Sequence, residues 1–145
     1  MLEELYQEVI LDYSQSDKNR GDLFAVPGAR HEIVHNPLCG DMIDLWLDAR
    51  DGIVVDVKFC GSGCAISQAS AALMAELIRG RRVADLPGMI DDFQKLLDGD
   101  DTAEVRERLG ELVALEGVRK FPVRRRCAAL AFEALRRLVA ESANS

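Results

Sequence analysis

The chain contains no apolar run approaching the roughly 20 residues that span a bilayer, so no membrane helix is expected. It has no basic excess. Its 18 Lys and Arg stand against 25 Asp and Glu, for a net charge of −7. Phosphate backbones are bound by basic surfaces, so nucleic acid is not an expected partner. There is no C-x-x-C pair, which argues against a zinc ribbon. No repeat, low-complexity tract or linker interrupts the 145 residues, which read as one domain of ordinary size. The opening MLEELYQEVI carries early glutamates and lacks the basic, apolar, small-residue order of a secretory signal. The expected compartment is therefore the cytoplasm, where thiols stay reduced.

What the chain does have is 48% hydrophobic residues, enough for a folded core. Leu2, Leu5, Tyr6, Val9, Ile10 and Tyr13 recur at helical spacing and predict an amphipathic helix. Three strand-like runs follow, at His31–Asn36, Met42–Ala49 and Ile53–Phe59. Ile43, Leu45 and Leu47 alternate with polar positions, as do Ile53, Val55, Val57 and Phe59. Asp51-Gly52 between the last two runs is a hairpin signal. Ala65–Arg79 reads as a helix closed by Gly80. Val83 to Leu97 suggests further helix, interrupted near Pro87-Gly88. Val105, Leu109, Leu112 and Val113 make another helical stripe, ended by Gly117. Pro122 opens a last helix whose face carries Cys127, Leu130, Ala131, Ala134, Leu135 and Leu138. The order is an α+β pattern, a small three-stranded antiparallel sheet with helices packed on one side.

Four cysteines in such a chain call for an explanation. Cys39 and Asp41 lie two apart in HNPLCGD, where Asn36-Pro37 starts a turn and Gly40 lets the backbone bend. Cys64 ends a glycine-rich turn before a helix. Cys127 lies in the first turns of the last helix. Exposed N–H groups and the helix dipole at such N-termini stabilise negative charge, which suits thiolates. Three thiolates and a carboxylate complete a tetrahedral zinc shell. Thiolates also suit iron–sulfur chemistry. The bland alternative is that buried cysteines act as small hydrophobes.

The segments NPLCGD, FCGSGCAISQAS and RRRCAALAFEAL resemble the three signature segments of the IscU/SufU family of iron–sulfur cluster assembly proteins. The resemblance covers nearly the whole chain. It implies that Cys39, Asp41, Cys64 and Cys127 are the metal and sulfur ligands. It also implies a single domain over residues 1–145, with a helical insertion at about 81–121. That insertion, and Arg126 where the IscU branch has histidine, are similar to the SufU branch. There the site holds zinc and the protein takes sulfur from a SufS-type cysteine desulfurase, passing it to downstream assembly or acceptor proteins. Arg124 matches an arginine that recurs in that branch and is a catalytic candidate beside Cys39, the expected sulfur acceptor. The alternative the resemblance carries is a scaffold holding a transient [2Fe–2S] cluster on the same ligands.

Other features have plainer readings. Cys60 is expected to be a bystander thiol, with a Cys60–Cys64 disulfide as the alternative. His31 and His35 share one strand face and read as surface or hydrogen-bonded positions rather than ligands. Arg119, Lys120, Arg124, Arg125 and Arg126 read as a solvated face, a charge balance for an anionic site, or a dock for an acidic partner. Trp46 reads as packing on the sheet. Ser67 and Ser70 read either as hydrogen-bond donors to sulfur or as small residues that allow close packing.

Overall fold

The computed structural model describes residues 2–38 and 40–143, with side chains described within 6–141. Helix α1 (Leu2–Gln15) precedes strands β1 (Arg30–Asn36), β2 (Asp41–Arg50) and β3 (Ile53–Ser62). These form an antiparallel sheet in the order β1-β2-β3. Helices α2 (Ala65–Ile78), α3 (Leu86–Asp98), α4 (Ala103–Leu109) and α5 (Pro122–Ala143) follow, with a 3-10 segment at Gly110–Lys120. No helix among the described residues is long and apolar enough to cross a membrane.

One face of the sheet is buried. Val34, Ile43, Leu45, Leu47, Val57 and Phe59 point inward and pack with α2, α5 and the intervening helices in one core. Each such side chain contributes about 1.5–3 kcal/mol by leaving water. Tyr6, Val9, Ile10 and Tyr13 of α1 pack against that core. Leu2 and Leu5 lie outside the described side chains. The Cys127 to Leu138 face of α5 is buried as its spacing predicts.

Four details depart from the periodicity. In β3 it is Val54, not Ile53 or Val55, that points inward; Ile53 and Val55 are exposed. The register slips between Asp48 and Ala49, so Val55 is an extra residue and the side-chain phase flips. Pro87-Gly88 does not break α3. Pro87 occupies its first turn, where the missing N–H costs nothing. The stripe at Leu109–Val118 is not α-helical throughout. Gly110, at φ +57, ends α4, and Leu112, Leu115 and Val118 are buried along one line. Their spacing of three matches the three residues per turn of a 3-10 helix, which continues past Gly117. Finally, α2 ends at Ile78, and extended Arg79 carries the chain into Gly80, whose N–H donates to Val54 across 2.8 Å.

The hairpin at Asp51-Gly52 forms as expected, with positive φ of 54° and 76° at its two central residues. It closes one end of the sheet. The opposite end, where β1 passes to β2 and β3 passes to α2, is where the cysteines gather.

Candidate metal centre

Asp41 is the first residue of β2, Cys64 stands at the N-cap of α2, and Cys127 projects from α5. A carboxylate oxygen of Asp41 and the sulfurs of Cys64 and Cys127 all lie within 4.8 Å of one another. Asp41 and Cys127 are buried and Cys64 is exposed, so the group opens to solvent on the α2 side. Cys127 is not at a helix N-terminus as the sequence suggests. It lies beyond the first turn of α5, where the dipole's influence fades. Cys64 alone holds that position. Cys39 lies outside the described residues.

The Asp41 carboxylate is held by its neighbours. Its Oδ1 accepts the backbone N–H of Cys64 at 3.1 Å, and its Oδ2 lies 3.4 Å from Cys64 Sγ. This closeness depends on Gly63. A Cβ there would sit 2.2 Å from Asp41 Oδ1, and the residue has φ +144°. Gly61 is equally constrained, since its Cβ would meet the Met42 carbonyl at 2.1 Å. The two glycines of CGSGC thus let the end of β3 pass against β2 and leave room for a carboxylate. The sequence shows the glycines but not what they face.

Further residues support the group, and of these the sequence singled out only Ser67 for such a role. Asn36, at the end of β1, aims its side-chain N–H at Cys127 Sγ, 3.9 Å away. A polar chain backs Cys64. Arg20 donates to Gln68 at 3.0 Å, Gln68 donates to Ser67 Oγ at 3.2 Å, and the Ser67 hydroxyl donates to the Cys64 carbonyl at 3.1 Å. Ser67 Oγ is 4.0 Å from Cys64 Sγ. Ser70 serves helix packing rather than the sulfur. It donates to the Ala128 carbonyl at 2.6 Å and stitches α2 to α5.

The remaining candidates fall elsewhere. Cys60 faces the outer side of the sheet, 3.9 Å from Asp44 Oδ2. Burial, then the negative charges of Asp44 and Asp22, push its thiol above the ordinary range. His31 bonds Asp44 at 2.7 Å and stacks on Trp46 at 4.1 Å, so Trp46 is packing. His35 lines a cavity of about 340 Å³ with Arg126, between β1, α3 and α5. Neither histidine belongs to the converging donors.

The basic run is divided rather than continuous. Arg125 pairs with Asp98, and Arg119 with Asp101 and Glu116. Arg124 is exposed, with its guanidinium 5.0 Å over the Phe121 ring. It borders a groove of about 790 Å³ that runs from Ile66, just past Cys64, to Lys120 and the exposed Leu11.

The donor set fits a thiophilic metal. A tetrahedral shell with bonds of about 2.0–2.3 Å places its donors about 3.3–3.8 Å apart, so the observed group closes with small side-chain movements. Its chemistry, two sulfurs and a carboxylate beside a glycine-made recess, suits zinc or iron rather than calcium or magnesium.

Residues 5–135 match the family described as NifU-like N terminal domain. The chain belongs to that family, the one that contains the SufU/IscU-type iron–sulfur cluster assembly proteins. It is 38% identical, over 97% of its length and 92% of the relative's, to the zinc-dependent sulfurtransferase SufU of Bacillus subtilis. It is 39% identical, over 91% of its length and 90% of the relative's, to the iron–sulfur cluster assembly scaffold protein IscU of Thermotoga maritima. Among solved structures, the SUF-system scaffold protein of Fervidobacterium islandicum superposes with a TM-score of 0.82 at 32% identity, covering 92% of this chain and 95% of that one. A SufU/IscU-type assembly protein with an α+β fold is therefore what sequence and structure agree on. SufU-named and IscU-named relatives stand at nearly equal identity, so overall likeness does not separate zinc chemistry from cluster assembly.

Proposed function

We propose that the chain is a zinc-bound sulfur carrier of iron–sulfur cluster assembly, taking sulfur from a SufS-type cysteine desulfurase in the cytoplasm. The observation that carries this reading is the convergence of Asp41, Cys64 and Cys127 at a recess cleared by Gly63. Cys39, two residues before Asp41, is the proposed fourth ligand and the sulfur acceptor. On this reading residues 1–145 act as one domain, and 81–121 is an insertion.

Zinc, when bound, keeps its thiol ligands deprotonated and out of disulfides. Asp41, a hard carboxylate among soft sulfurs, is the ligand that exchanges most readily. The Cys39 thiolate attacks the terminal sulfur of the desulfurase persulfide. The partner's S–S bond breaks, a new S–S bond forms on Cys39, and the partner's cysteine departs as a thiolate. No net oxidation or reduction occurs. Arg124 lies one helical turn before Cys127, in the groove that borders Cys64's helix. Its positive charge is suited to steering an anionic persulfide or an acidic partner surface. Downstream assembly or acceptor proteins then take the sulfur.

A second reading is a scaffold that holds a transient [2Fe–2S] cluster on the same residues; the likeness to scaffold-named relatives favours it. Two measurements separate the readings. Protein purified without oxygen should hold about one zinc per chain; iron with acid-labile sulfide supports the scaffold instead. Mixing with desulfurase and free cysteine should place a persulfide on Cys39 and speed desulfurase turnover. Cys39→Ala should abolish both effects. No stimulation by the unaltered chain sinks the carrier reading.

A further inference from the structure

Asn36 touches three parts of the centre at once. Its side-chain N–H lies 3.9 Å from Cys127 Sγ on α5. Its side-chain carbonyl accepts the N–H of Leu38 at 3.1 Å. Its backbone carbonyl accepts the N–H of Gly40 at 2.9 Å. Across the ladder it pairs with Asp41. Only 4% of the residue is exposed, so these bonds are shielded from water.

The two carbonyl bonds bracket position 39. One fixes the residue before it and the other fixes the residue after it. The third bond reaches a different sulfur on a different helix. An N–H donated to a thiolate draws charge from it, makes it a weaker nucleophile and fixes its direction.

We propose that Asn36 is a positioning residue for the centre: its side-chain N–H pins Cys127 in the shell and holds down that sulfur's nucleophilicity. This rests on the metal and sulfur-acceptor reading above and adds a residue that keeps Cys127 a ligand rather than an acceptor.

Two substitutions separate the roles. Asn36→Asp keeps the carbonyl that latches Leu38 but turns a carboxylate oxygen, in place of N–H, toward Cys127. Asn36→Ala removes both side-chain bonds. Zinc release to a chelator should quicken by about 10-fold or more in Asn36→Asp, the scale of losing a supporting contact to a ligand. In cobalt-substituted protein the sulfur-to-metal charge-transfer band should move to lower energy in both variants. The metal-free variants should melt within about 3 °C of the unaltered protein, because the role acts on the ligands and not on the core. With desulfurase, Asn36→Ala should carry persulfide on Cys127 as well as Cys39. A further measurement needs no variant. Cadmium-113-loaded protein should show scalar coupling between the metal and an Asn36 side-chain proton, transmitted through Cys127 sulfur.

Zinc release and cobalt spectra unchanged in both variants would overturn the proposal. So would absence of the coupling at full cadmium occupancy. If the unaltered chain takes up no persulfide, the carrier reading fails, while zinc release, cobalt spectra and cadmium coupling still judge Asn36.

Discussion

The two ends of the one sheet are built on opposite principles. At the Asp51-Gly52 end, main-chain bonds close the turn. The turn closes with two positive φ angles, and Val54, Gly80, Arg81, Val83 and Gly52 add main-chain hydrogen bonds beyond it. At the other end, side chains take over. Asn36 holds the turn, Asp41 accepts the Cys64 N–H, and a chain of Arg20, Gln68 and Ser67 supports the Cys64 carbonyl. Main-chain bonds between strands satisfy one another and leave no group for a ligand. Side-chain bonds converge heteroatoms, so the irregular end is the one able to hold a ligand. The difference teaches that the hairpin end secures the sheet's register while the open end exploits it.

The comparison breaks first at the sulfurs. Cys64→Ser or Cys127→Ser should lower zinc affinity by more than the ~10–100-fold typical of losing a supporting residue, and should lower thermal stability with it. Chelator competition and melting of the loaded protein measure both. Full zinc retention in either variant would place the shell elsewhere.

A step smaller is Gly63→Ala. The new methyl would overlap the Asp41 carboxylate, and the residue sits at φ +144°. Zinc affinity should fall by about 10–100-fold, as for a displaced support, whereas an unaffected titration would show that the carboxylate position does not matter.

Gly52→Ala is the matching change at the hairpin end. It too has positive φ, at 76°, but nothing lies within 4 Å of the added carbon. It should cost about 1 kcal/mol in urea unfolding and leave zinc affinity unchanged. A marked loss of zinc there would mean that the two ends are coupled.

The smallest effect belongs to Cys60, near the metal-centre end of β3 but on the outer face of the sheet. Its raised thiol should stay protonated at neutral pH and resist alkylation until the solution passes the ordinary thiol value of about 8.5. The sign for stability follows. The folded form prefers the thiol, so its contribution is whole below the ordinary value and is lost as the pH rises through Cys60's own. Cys60→Ser should flatten that alkaline decline and leave zinc binding intact. Rapid alkylation at pH 7 would show that burial and Asp44 do not control this thiol.

How much of this could be read from the chain alone differs between the ends in the same way. The Asp51-Gly52 turn, the inward set Ile43, Leu45, Leu47, the Pro122 start of α5 and its buried face follow from local rules, because turn chemistry and hydrophobic period act over neighbouring residues. The pattern failed at Val54, where a bulge reverses the alternation, and at Leu112, Leu115 and Val118, where 3-10 spacing passes for α. The family and all four of its implied ligands were visible as short segments; of these, Asp41, Cys64 and Cys127 come together, while Cys39 lies outside the described residues.

The sequence by itself determined which donors were available, their softness, the glycines beside them and the hairpin that aligns the strands. Only the tertiary structure decided that Gly63 makes room for Asp41, that Ser70 joins two helices while Ser67 backs Cys64, that Arg125 is spent on Asp98 while Arg124 stays exposed, and that Asn36 reaches Cys127. Each of these contacts spans residues far apart in the chain, and their meeting depends on how the sheet twists against α2 and α5, which no local spacing records.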